Sequence, residues 1–230
     1  IKLGSHFDRA EVQAAVDEAH ALGLRVTVDS ETLYTRLAVE AGADCVEHPL
    51  PRTDEVVRLM ARKGVCAVIT LVPYQYINAG GGYFFSTSRR FTATDAVHLA
   101  MARKLDAAGV RIGIGTDLVV GWYRFLPEPY LQELRNYRLL GKTAAQALIA
   151  ATRTNAEILG MADRLGTLEP GKLADLIIVA GQPDVDLEDL RKVEQVVVNG
   201  RWVVRDGRVQ IPRHIEEKPP YSTAPATAAR

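Results

Sequence analysis

The chain has 230 residues, of which 47% are apolar and 24% charged, a balance ordinary for a globular protein with one sizeable domain or one domain and a small companion. Lys and Arg together number 28 and so do Asp and Glu, so the net charge is zero and favours neither a nucleic-acid partner nor an anionic membrane surface. The sequence has no apolar run near the roughly 20 residues that cross a bilayer and no signal-peptide pattern at its start, so we expect a cytoplasmic protein.

The two cysteines of the chain, Cys45 and Cys66, both lie within short apolar runs. Such positions favour buried thiols in a reducing cytoplasm over a disulfide framework. A single disulfide between the two remains the alternative.

The first half of the chain alternates short β-branched runs with stretches of helical periodicity. Asp8 and Glu11 have the spacing of a capping box at the start of the first helix, and Gly23, Gly42 and Gly64 each follow a predicted helix. This alternation favours a parallel sheet with right-handed crossovers, of either barrel or doubly wound type. The predicted strands cover 1–3, 24–28, 44–48, 65–70 and 110–115, and the predicted helices cover 8–22, 31–41, 54–63 and 94–108.

The segment between Thr70 and Thr94 is the longest one without a periodic pattern, and we predict it to be irregular. A loop of this length inside an α/β domain is usually functional, and three consecutive glycines at 80–82 favour a lid over a substrate. An oligomer contact and a merely mobile loop are the alternatives. Four of its side chains are candidates for substrate contact, the arginines for binding a carboxylate in bidentate fashion: Tyr74, Tyr76, Arg89 and Arg90.

The second half of the chain differs from the first in its pattern of predicted helices and strands. Asn199-Gly200 and Asp206-Gly207 are hairpin turn signals, which predict a small antiparallel unit. From Pro212 the sequence is rich in Pro, Ala and Thr without periodicity, as in a disordered tail. The predicted helices cover 129–140, 143–151 and 152–159, a turn-rich linker covers 163–172, and the predicted strands cover 174–179, 193–199 and 201–205. The expected division is an α/β domain at 1–162, an antiparallel portion at 163–211 and a tail at 212–230.

Polar side chains stand at the ends of the predicted parallel strands, namely Lys2, Asp29, His48, Thr70 and Asp117. In a parallel barrel all of them project towards the same face, where catalytic groups lie. A His, an Asp and one further ligand are a sufficient nucleus for a Zn²⁺-type site, which lowers the pKa of a bound water to about 7. A lysine in this position donates to an oxyanion or, once carbamylated, bridges two metal ions.

Each of these residues also has a structural interpretation. Lys2 fits a surface charge, Asp29 fits the N-cap of the next helix, and Asp117 fits an N-cap or an ion pair. His48 lies between a β-branched run and Pro49 and has no capping role, which favours a functional one. The remaining histidines lie in predicted helices, loops or the tail, where we expect structural or solvated side chains: His6, His20, His98 and His214.

Three stretches carry a family pattern: Gly115-Thr116-Asp117, the run at 147–156, and Leu-Gly-Thr-Leu-Glu-Pro-Gly-Lys-Leu-Ala-Asp-Leu at 165–176. They resemble the C-terminal half of the amidohydrolase superfamily, in its imidazolonepropionase-like and prolidase-like branch. The run at 41–48, which ends at His48, is similar to the sixth barrel strand of that branch. The resemblance covers residues 1–207, and it implies strands 4 to 8 of a TIM-type (β/α)8 barrel and a small C-terminal portion of an antiparallel β-sandwich.

The resemblance implies roles for the residues at the strand ends. Asp117 matches the eighth-strand aspartate that binds metal and takes a proton from the attacking water. His48 matches the sixth-strand metal ligand, and Lys2 matches the fourth-strand lysine that is carboxylated in many relatives and bridges two metals. Asp29 stands where the family has its fifth-strand histidine, and is the nearest candidate ligand there.

The chain departs from the family pattern at its start. The first-strand His-x-His pair of the family does not occur in the sequence, because the resemblance begins at the fourth strand. A half-barrel exposes two sheet edges and an unfilled core. We therefore expect a fragment of a longer chain or a subunit completed by a partner, as a homo-oligomer or by association with the missing N-terminal half.

The function that the resemblance implies is metal-dependent hydrolysis of a C–N bond in a small molecule, such as a cyclic amide, an amide or a dipeptide, with one or two Zn²⁺ ions. One alternative is a degenerate amidohydrolase homologue that acts as a non-catalytic or partner-completed subunit. Another is an isomerase or lyase on a complete barrel, which is disfavoured because no phosphate-binding glycine loop follows the late strands.

Overall fold

Five parallel strands form the first sheet of the molecule, for which a computed structural model describes residues 1–4, 7–30, 33–49, 53–79, 83–84, 88–89, 94–117 and 127–210. Each strand pairs with the next one along the chain, so the sheet winds in one direction. This order is that of a barrel, and the described strands show no reversal of the doubly wound kind. The predicted partial (β/α)8 barrel is confirmed. Its strands are β1 (Lys2–Leu3), β2 (Thr27–Asp29), β3 (Cys45–Glu47), β4 (Cys66–Val68) and β7 (Ile112–Gly113).

Helices connect these strands, and their ends follow from local chemistry. The capping box predicted for the first helix is confirmed, since Asp8 Oδ1 accepts from the Glu11 N–H at 2.9 Å and Glu11 Oε2 accepts from the Asp8 N–H at 2.8 Å. The third helix starts at the N-cap Thr53 and ends at Gly64, which has a φ of 69°. These helices are α1 (Arg9–Ala21), α2 (Leu33–Ala41), α3 (Asp54–Lys63) and α5 (Asp95–Ala107).

The segment after Thr70 is helical where irregular structure was predicted, so that prediction is wrong for its first part. Helix α4 covers Leu71–Ala79, and two short antiparallel strands follow, β5 (Tyr83–Phe84) and β6 (Ser88–Arg89). Pro73 lies in the first turn of α4, where its missing N–H costs no intrahelical bond. Helix α4 is buried at five of its nine positions, so it lacks the apolar stripe that marks an amphipathic helix. The lid prediction rests largely on 80–82, 85–87 and 90–93, which lie outside the described residues.

The main hydrophobic core lies between the parallel sheet and its helices. Val28, Val46 and Ala67 are neighbours in register across β2, β3 and β4, and all belong to this core. Val12 and Val16 of α1 pack into the same core. Burying a valine side chain in this way contributes roughly 1.5–3 kcal/mol relative to its exposure.

The two cysteines lie on the other face of the sheet. Cys45 and Cys66 alternate along their strands with Val46 and Ala67, so they point away from the main core, and they form a small cluster with Ile158. Both are free, and burial raises the pKa of each thiol. The prediction of buried thiols is therefore confirmed, and the structure holds no disulfide between the two.

The helices after the parallel sheet differ in one detail from the prediction. The run predicted as two helices is continuous, because a π-helical turn at Ala150–Thr154 joins α7 (Ala144–Ile149) to α8 (Asn155–Ile158). The turn is followed by Asn155, whose side chain bonds both the N–H and the carbonyl of Ile114 at 3.0 and 2.9 Å. This pair of bonds fixes the end of β7 just before Asp117. The preceding helix, α6, covers Glu128–Leu139.

The last described strands form an antiparallel sheet in the order β11-β10-β9-β8. The hairpin turns predicted at Asn199-Gly200 and Asp206-Gly207 are confirmed, with φ values of 47°, 75°, 50° and 70° in chain order, as a type I′ turn requires. The predicted tail at 212–230 lies outside the described residues. No helix among the described ranges combines the length and the apolar character needed to cross a membrane. The strands are β8 (Leu176–Val179), β9 (Val193–Val198), β10 (Arg201–Arg205) and β11 (Arg208–Val209), with a 3-10 helix at Leu187–Lys192.

Candidate active site

Three strand-end residues lie side by side at the carboxyl edge of the parallel sheet. His48 follows β3, Thr70 follows β4 and Asp117 follows β7, and these strands are consecutive neighbours in the sheet. The one-directional winding of the sheet therefore brings together residues that are far apart in the sequence.

The backbone is unusual at all three positions. His48, Thr70 and Asp117 have φ values of 52°, 51° and 43°, in the left-handed region that side chains other than Gly and Asn rarely adopt. The two other non-glycine residues of this kind in the described ranges are Asn199 and Asp206, which belong to hairpin turns. Such conformations cost of the order of 1–3 kcal/mol each and tend to cluster at functional sites. Strain at three adjacent strand ends therefore marks this edge as a candidate site.

The hydrogen bonds of Thr70 determine which nitrogen of His48 carries its proton. The Thr70 hydroxyl donates to the carbonyl of Ile69 at 2.7 Å, and the same oxygen contacts His48 Nδ1. Because the hydroxyl proton is already used, Nδ1–H of a neutral His48 donates to Thr70 and Nε2 keeps its lone pair. Thr70 thus presents Nε2 of His48 as an acceptor or a metal ligand.

That lone pair faces a carboxylate. His48 Nε2 lies 3.4 Å from Oδ2 of Asp117; the imidazole is buried and the carboxylate is 42% exposed. Two acceptors at this distance repel each other unless a proton or a cation lies between them. Two ligands at the roughly 2.0–2.1 Å bond lengths of tetrahedral zinc are about 3.3 Å apart, so the observed separation fits two ligands of one zinc-type ion.

The pair is only part of a coordination sphere. Across the described ranges, no group of three or more His, Cys, Asp or Glu side chains is placed to hold a metal ion. Structural and catalytic zinc sites use three or four protein ligands. His48 and Asp117 therefore fit a divalent cation as two of its ligands.

Lys2 and Asp29 form a second pair on the two strands at the other end of the sheet. Lys2 Nζ lies 3.9 Å from Asp29 Oδ2, and their side chains are 48% and 36% exposed. The structure thus brings the four predicted metal ligands together as two pairs, on β1 and β2 and at the ends of β3 and β7. The metal-ligand roles of Lys2 and Asp29 stay predictions.

Aromatic rings line one side of His48. Tyr74 of α4 meets the imidazole edge-on, with ring centroids 6.1 Å apart, and stacks on His98 of α5 at 4.0 Å. Tyr76 is half-buried, and burial raises the pKa of its phenol. Arg89 lies in β6, while its side chain and all of Arg90 fall outside the described residues. The substrate-binding roles of these four residues stay predictions.

His98 is a buried member of this wall, which the sequence had placed among structural or solvated histidines. It is 2% exposed, and burial lowers the pKa of its imidazole. It lines a cavity of about 90 Å³ with Tyr74 and Gln75, and neither of its ring nitrogens has a hydrogen-bond partner among the described residues. Its helical spacing with Ala102 and Leu105, both buried, was a usable signal in the sequence.

One residue that sequence reasoning missed is Glu133 of α6, which is 2% exposed. Its carboxyl group accepts from two backbone N–H groups at the start of α4, next to Thr70. No sequence signal connects it to α4, because its partners lie 61 and 62 positions away.

The chain is similar in sequence to known proteins of one family. The model of the amidohydrolase family matches residues 4–203 of the chain. An imidazolonepropionase of Geobacillus kaustophilus (strain HTA426) is 32% identical over 209 residues, which is 89% of this chain and 45% of that protein. The chain thus spans about half the length of the curated relatives it matches.

Solved structures also match most of this chain and about half of their own length. An amidohydrolase crystal structure matches with a TM-score of 0.77 and 27% identity, over 90% of this chain and 55% of that one. A Xaa-Pro dipeptidase with bound methionine in its active site matches with a TM-score of 0.73 and 28% identity, over 85% of this chain and 48% of that one. The same partial-barrel fold is therefore present in proteins of about twice the matched length.

Proposed function

The chain belongs to the amidohydrolase family, and from this premise we propose that it supplies the His48–Asp117 part of a metal-dependent hydrolase that acts on a C–N bond. The observation that carries the proposal is the 3.4 Å approach of His48 Nε2 to Asp117 Oδ2. An acceptor nitrogen and a carboxylate oxygen at this distance, at the catalytic face of a barrel, suit a shared divalent cation.

The residues of the chain take defined roles in this proposal. A zinc-type cation bound by His48 and Asp117 would lower the pKa of a water molecule to about 7 and polarise the oxygen of the scissile group. Asp117 is partly open to solvent, so the carboxylate has a free lone pair to accept a proton from the attacking water and return it to the leaving nitrogen. Thr70 holds His48 in the tautomer that leaves Nε2 free.

We propose a small molecule with an amide or cyclic amide as the substrate. The names of the similar proteins support this class, since they include imidazolonepropionases and a Xaa-Pro dipeptidase. Tyr74 borders His48, which supports the proposal that it contacts such a substrate. Arg89 and Arg90 remain the proposed partners of a substrate carboxylate.

We propose that this chain's own residues hold one cation rather than two. A second ion bridged by carboxylated Lys2 would require the Lys2–Asp29 pair to be rebuilt, because a carbamate and Asp29 would both be negative. Asp29 is half-exposed and paired with Lys2, so it is the weaker candidate for a ligand.

We further propose that the site is completed by additional chain, either the N-terminal half of the barrel or a second copy. Within the described residues the parallel sheet has two edges, β1 and β7, and a groove of about 540 Å³ lies on its concave face beside Cys45 and Ile158. The antiparallel sheet also exposes large apolar side chains, among them Trp202 and Val209. Surfaces of this kind usually mark interfaces. A 25.2 kDa chain that is monomeric and unfolds cooperatively by itself would contradict this part of the proposal.

Metal titration of the full chain tests the proposed site. Wild-type protein should bind Zn²⁺ and Co²⁺ at one site, and Asp117→Asn should weaken binding by more than about 100-fold, beyond the effect of losing an outer-shell partner. Asp29→Asn is the matched control, since it removes the same charge from a strand end in the exposed pair. Equal weakening by both variants would overturn the assignment of His48 and Asp117.

The second candidate function is a non-catalytic homologue, which the partial ligand set favours. Failure of both the chain and its assembled form to bind Zn²⁺ or to hydrolyse Xaa-Pro dipeptides and imidazolonepropionate would establish that alternative.

A further inference from the structure

The start of α4 is not capped by the residue that precedes it. A threonine in that position ordinarily accepts a hydrogen bond from an N–H group of the first helical turn. Thr70 instead donates its hydroxyl hydrogen bond to the Ile69 carbonyl, and its oxygen accepts from His48 Nδ1. Its backbone is left-handed at this position. The first N–H groups of α4 therefore need another acceptor.

Glu133 of α6 supplies that acceptor. Its Oε1 accepts from the Leu71 N–H at 3.1 Å and its Oε2 accepts from the Val72 N–H at 2.9 Å. A negatively charged acceptor at a helix N-terminus also gains from the helix dipole and from charge-assisted hydrogen bonds. The carboxyl group of Glu133, from another helix, thus caps α4 in place of the Thr70 hydroxyl.

A second connection lies one turn further along α4. The side chains of Gln75 and Asn136 exchange two hydrogen bonds, at 3.0 and 3.2 Å, and Asn136 also donates to Glu133 Oε2 at 3.4 Å. Helix α4 is therefore attached to α6 at its first turn and again at Gln75. These bonds fix both the position and the direction of α4.

We infer that Glu133 is a positioning residue for the candidate site: by fixing the first turn of α4 it holds Thr70 in its left-handed conformation, with the hydroxyl oxygen placed to accept from Nδ1–H of His48, the tautomer that leaves Nε2 for a cation. The inference rests on the proposed role of His48 Nε2 as the atom that faces Asp117. Glu133 itself touches neither His48 nor Asp117 in these contacts, so it acts through Thr70 and α4.

The energetic cost of the arrangement supports a specific role. A buried carboxyl group carries a desolvation penalty, and burial raises the pKa of Glu133 to about 7 even with three N–H donors around it. A hydroxyl or amide side chain at this position that was not bonded to His48 would cap α4 without that penalty. The buried carboxyl group is needed because Thr70 is occupied by His48.

The ring nitrogen shifts of His48 test the inference. Protein labelled with ¹⁵N-histidine has five histidines to assign, and a His48→Gln variant identifies the His48 signals. Above about pH 8.5, where imidazoles are neutral, the shifts distinguish Nδ1–H from Nε2–H. In the metal-free protein the Asp117 carboxylate favours Nε2–H and Thr70 favours Nδ1–H, so wild-type protein should show a ratio of the two tautomers. Glu133→Gln should move that ratio at least threefold towards Nε2–H, because the glutamine amide places an N–H against a backbone N–H and so loosens the first turn of α4 and Thr70 with it.

Tyr137→Phe is the matched control. Tyr137 is a buried residue of the same helix, and its hydroxyl donates to the Ile112 carbonyl of β7 at 2.6 Å. Both variants should lose stability, but only Glu133→Gln should shift the tautomer. An unchanged tautomer in folded Glu133→Gln, or an equal shift in Tyr137→Phe, would overturn the inference.

Two further variants keep the test decisive. If Glu133→Gln does not fold, Asn136→Ala removes the second connection and should shift the tautomer in the same direction by a smaller factor; no shift would count against the inference. Thr70→Val should shift it as Glu133→Gln does, and the double variant should add nothing, since both act on one contact. The measurement uses no metal, so dependence of the tautomer on Glu133 without Zn²⁺ binding would refute the proposed function and leave the positioning role standing.

Discussion

The two ends of the parallel sheet differ in the surroundings of their polar side chains. At the ends of β3, β4 and β7, His48 is buried, its backbone and those of its two neighbours are left-handed, and its ring contacts Thr70 and Asp117. On β1 and β2, Lys2 and Asp29 have extended backbones and meet at 3.9 Å in a largely exposed pair. The polar residues at the two ends of the sheet thus have very different environments.

Backbone strain and side-chain burial therefore distinguish the candidate active site from the exposed pair better than residue type does. An exposed ion pair typically contributes about 0–1 kcal/mol and is screened by salt, so its presence requires no special function. Three adjacent left-handed residues cost free energy that the fold must offset elsewhere. At Thr70 the reason is visible, because β4 ends at Val68 and α4 begins at Leu71, which leaves two residues to reverse the chain direction.

Replacing Asp117 by Asn should have the largest effect of the substitutions considered, because it removes the proposed proton acceptor at the buried end of the sheet. The amide keeps the size of the side chain but does not accept a proton from water, so kcat of the assembled enzyme should fall by about 10²–10⁴-fold, the range of a general base. Steady-state kinetics with a Xaa-Pro dipeptide measures the effect, and circular dichroism checks that the fold is intact. Activity within threefold of wild type would refute the role of Asp117.

Replacing Thr70 by Val tests whether the contact between Thr70 and His48 is needed at the left-handed end of the sheet. Valine keeps the shape and the β-branch but cannot accept from His48 Nδ1, so Zn²⁺ affinity should fall by about 10–100-fold, as for other second-shell partners of metal-bound histidines. Thr70→Ser keeps the hydroxyl and should stay close to wild type. Calorimetric titration compares the two, and equal affinities would show that the contact with Thr70 does not orient His48.

The pH dependence of stability should reveal Glu133. Its folded pKa of about 7 lies above the ordinary value of 4.5 for a glutamate, so the folded protein binds its proton more tightly than the unfolded chain does. The contribution to the free energy of unfolding is therefore full below about pH 4.5 and decreases as the pH rises through 7, by ~2 kcal/mol between about pH 5 and pH 7.

Denaturant unfolding of wild type and Glu133→Gln at several pH values isolates the contribution of Glu133 to the free energy of unfolding, because the two proteins share all other titrating groups. Glutamine does not titrate, so the difference between the two proteins should change by that amount over the interval. A difference that is constant with pH would show that Glu133 has an ordinary pKa.

Replacing Lys2 by Met should have the smallest effect. The exposed pair with Asp29 contributes about 0–1 kcal/mol, so the free energy of unfolding should change by less than ~0.5 kcal/mol and depend weakly on salt. Thermal unfolding at low and high salt measures this. A loss of several kcal/mol, or of Zn²⁺ binding, would show that the β1 and β2 end belongs to the metal site after all.

The sequence predicted features whose cause is local. The capping box of Asp8 and Glu11 and the turns at Asn199 and Asp206 depend on residues a few positions apart, and all were found where predicted. The alternation of strands and helices was also readable, because a parallel sheet buried on both faces needs continuous apolar runs. Family resemblance then gave strand numbers to those runs.

The sequence was less informative where burial removes the pattern or where partners are distant. Helix α4 was missed because it is buried at most positions and contains Pro73, so its composition imitates that of a loop. For His98 the sequence left a structural and a solvated side chain both open, although its helical spacing with Ala102 indicated the buried one that the structure shows.

The family, the order of the elements and the candidates His48 and Asp117 were readable from the sequence, because motifs, helix caps and periodicity depend on neighbouring residues. The folded chain was needed to show that these two residues form a pair apart from Lys2 and Asp29, and that Glu133 caps α4 in place of Thr70. Burial, backbone strain and the distances between donors and acceptors depend on how distant segments pack, and no local pattern encodes them.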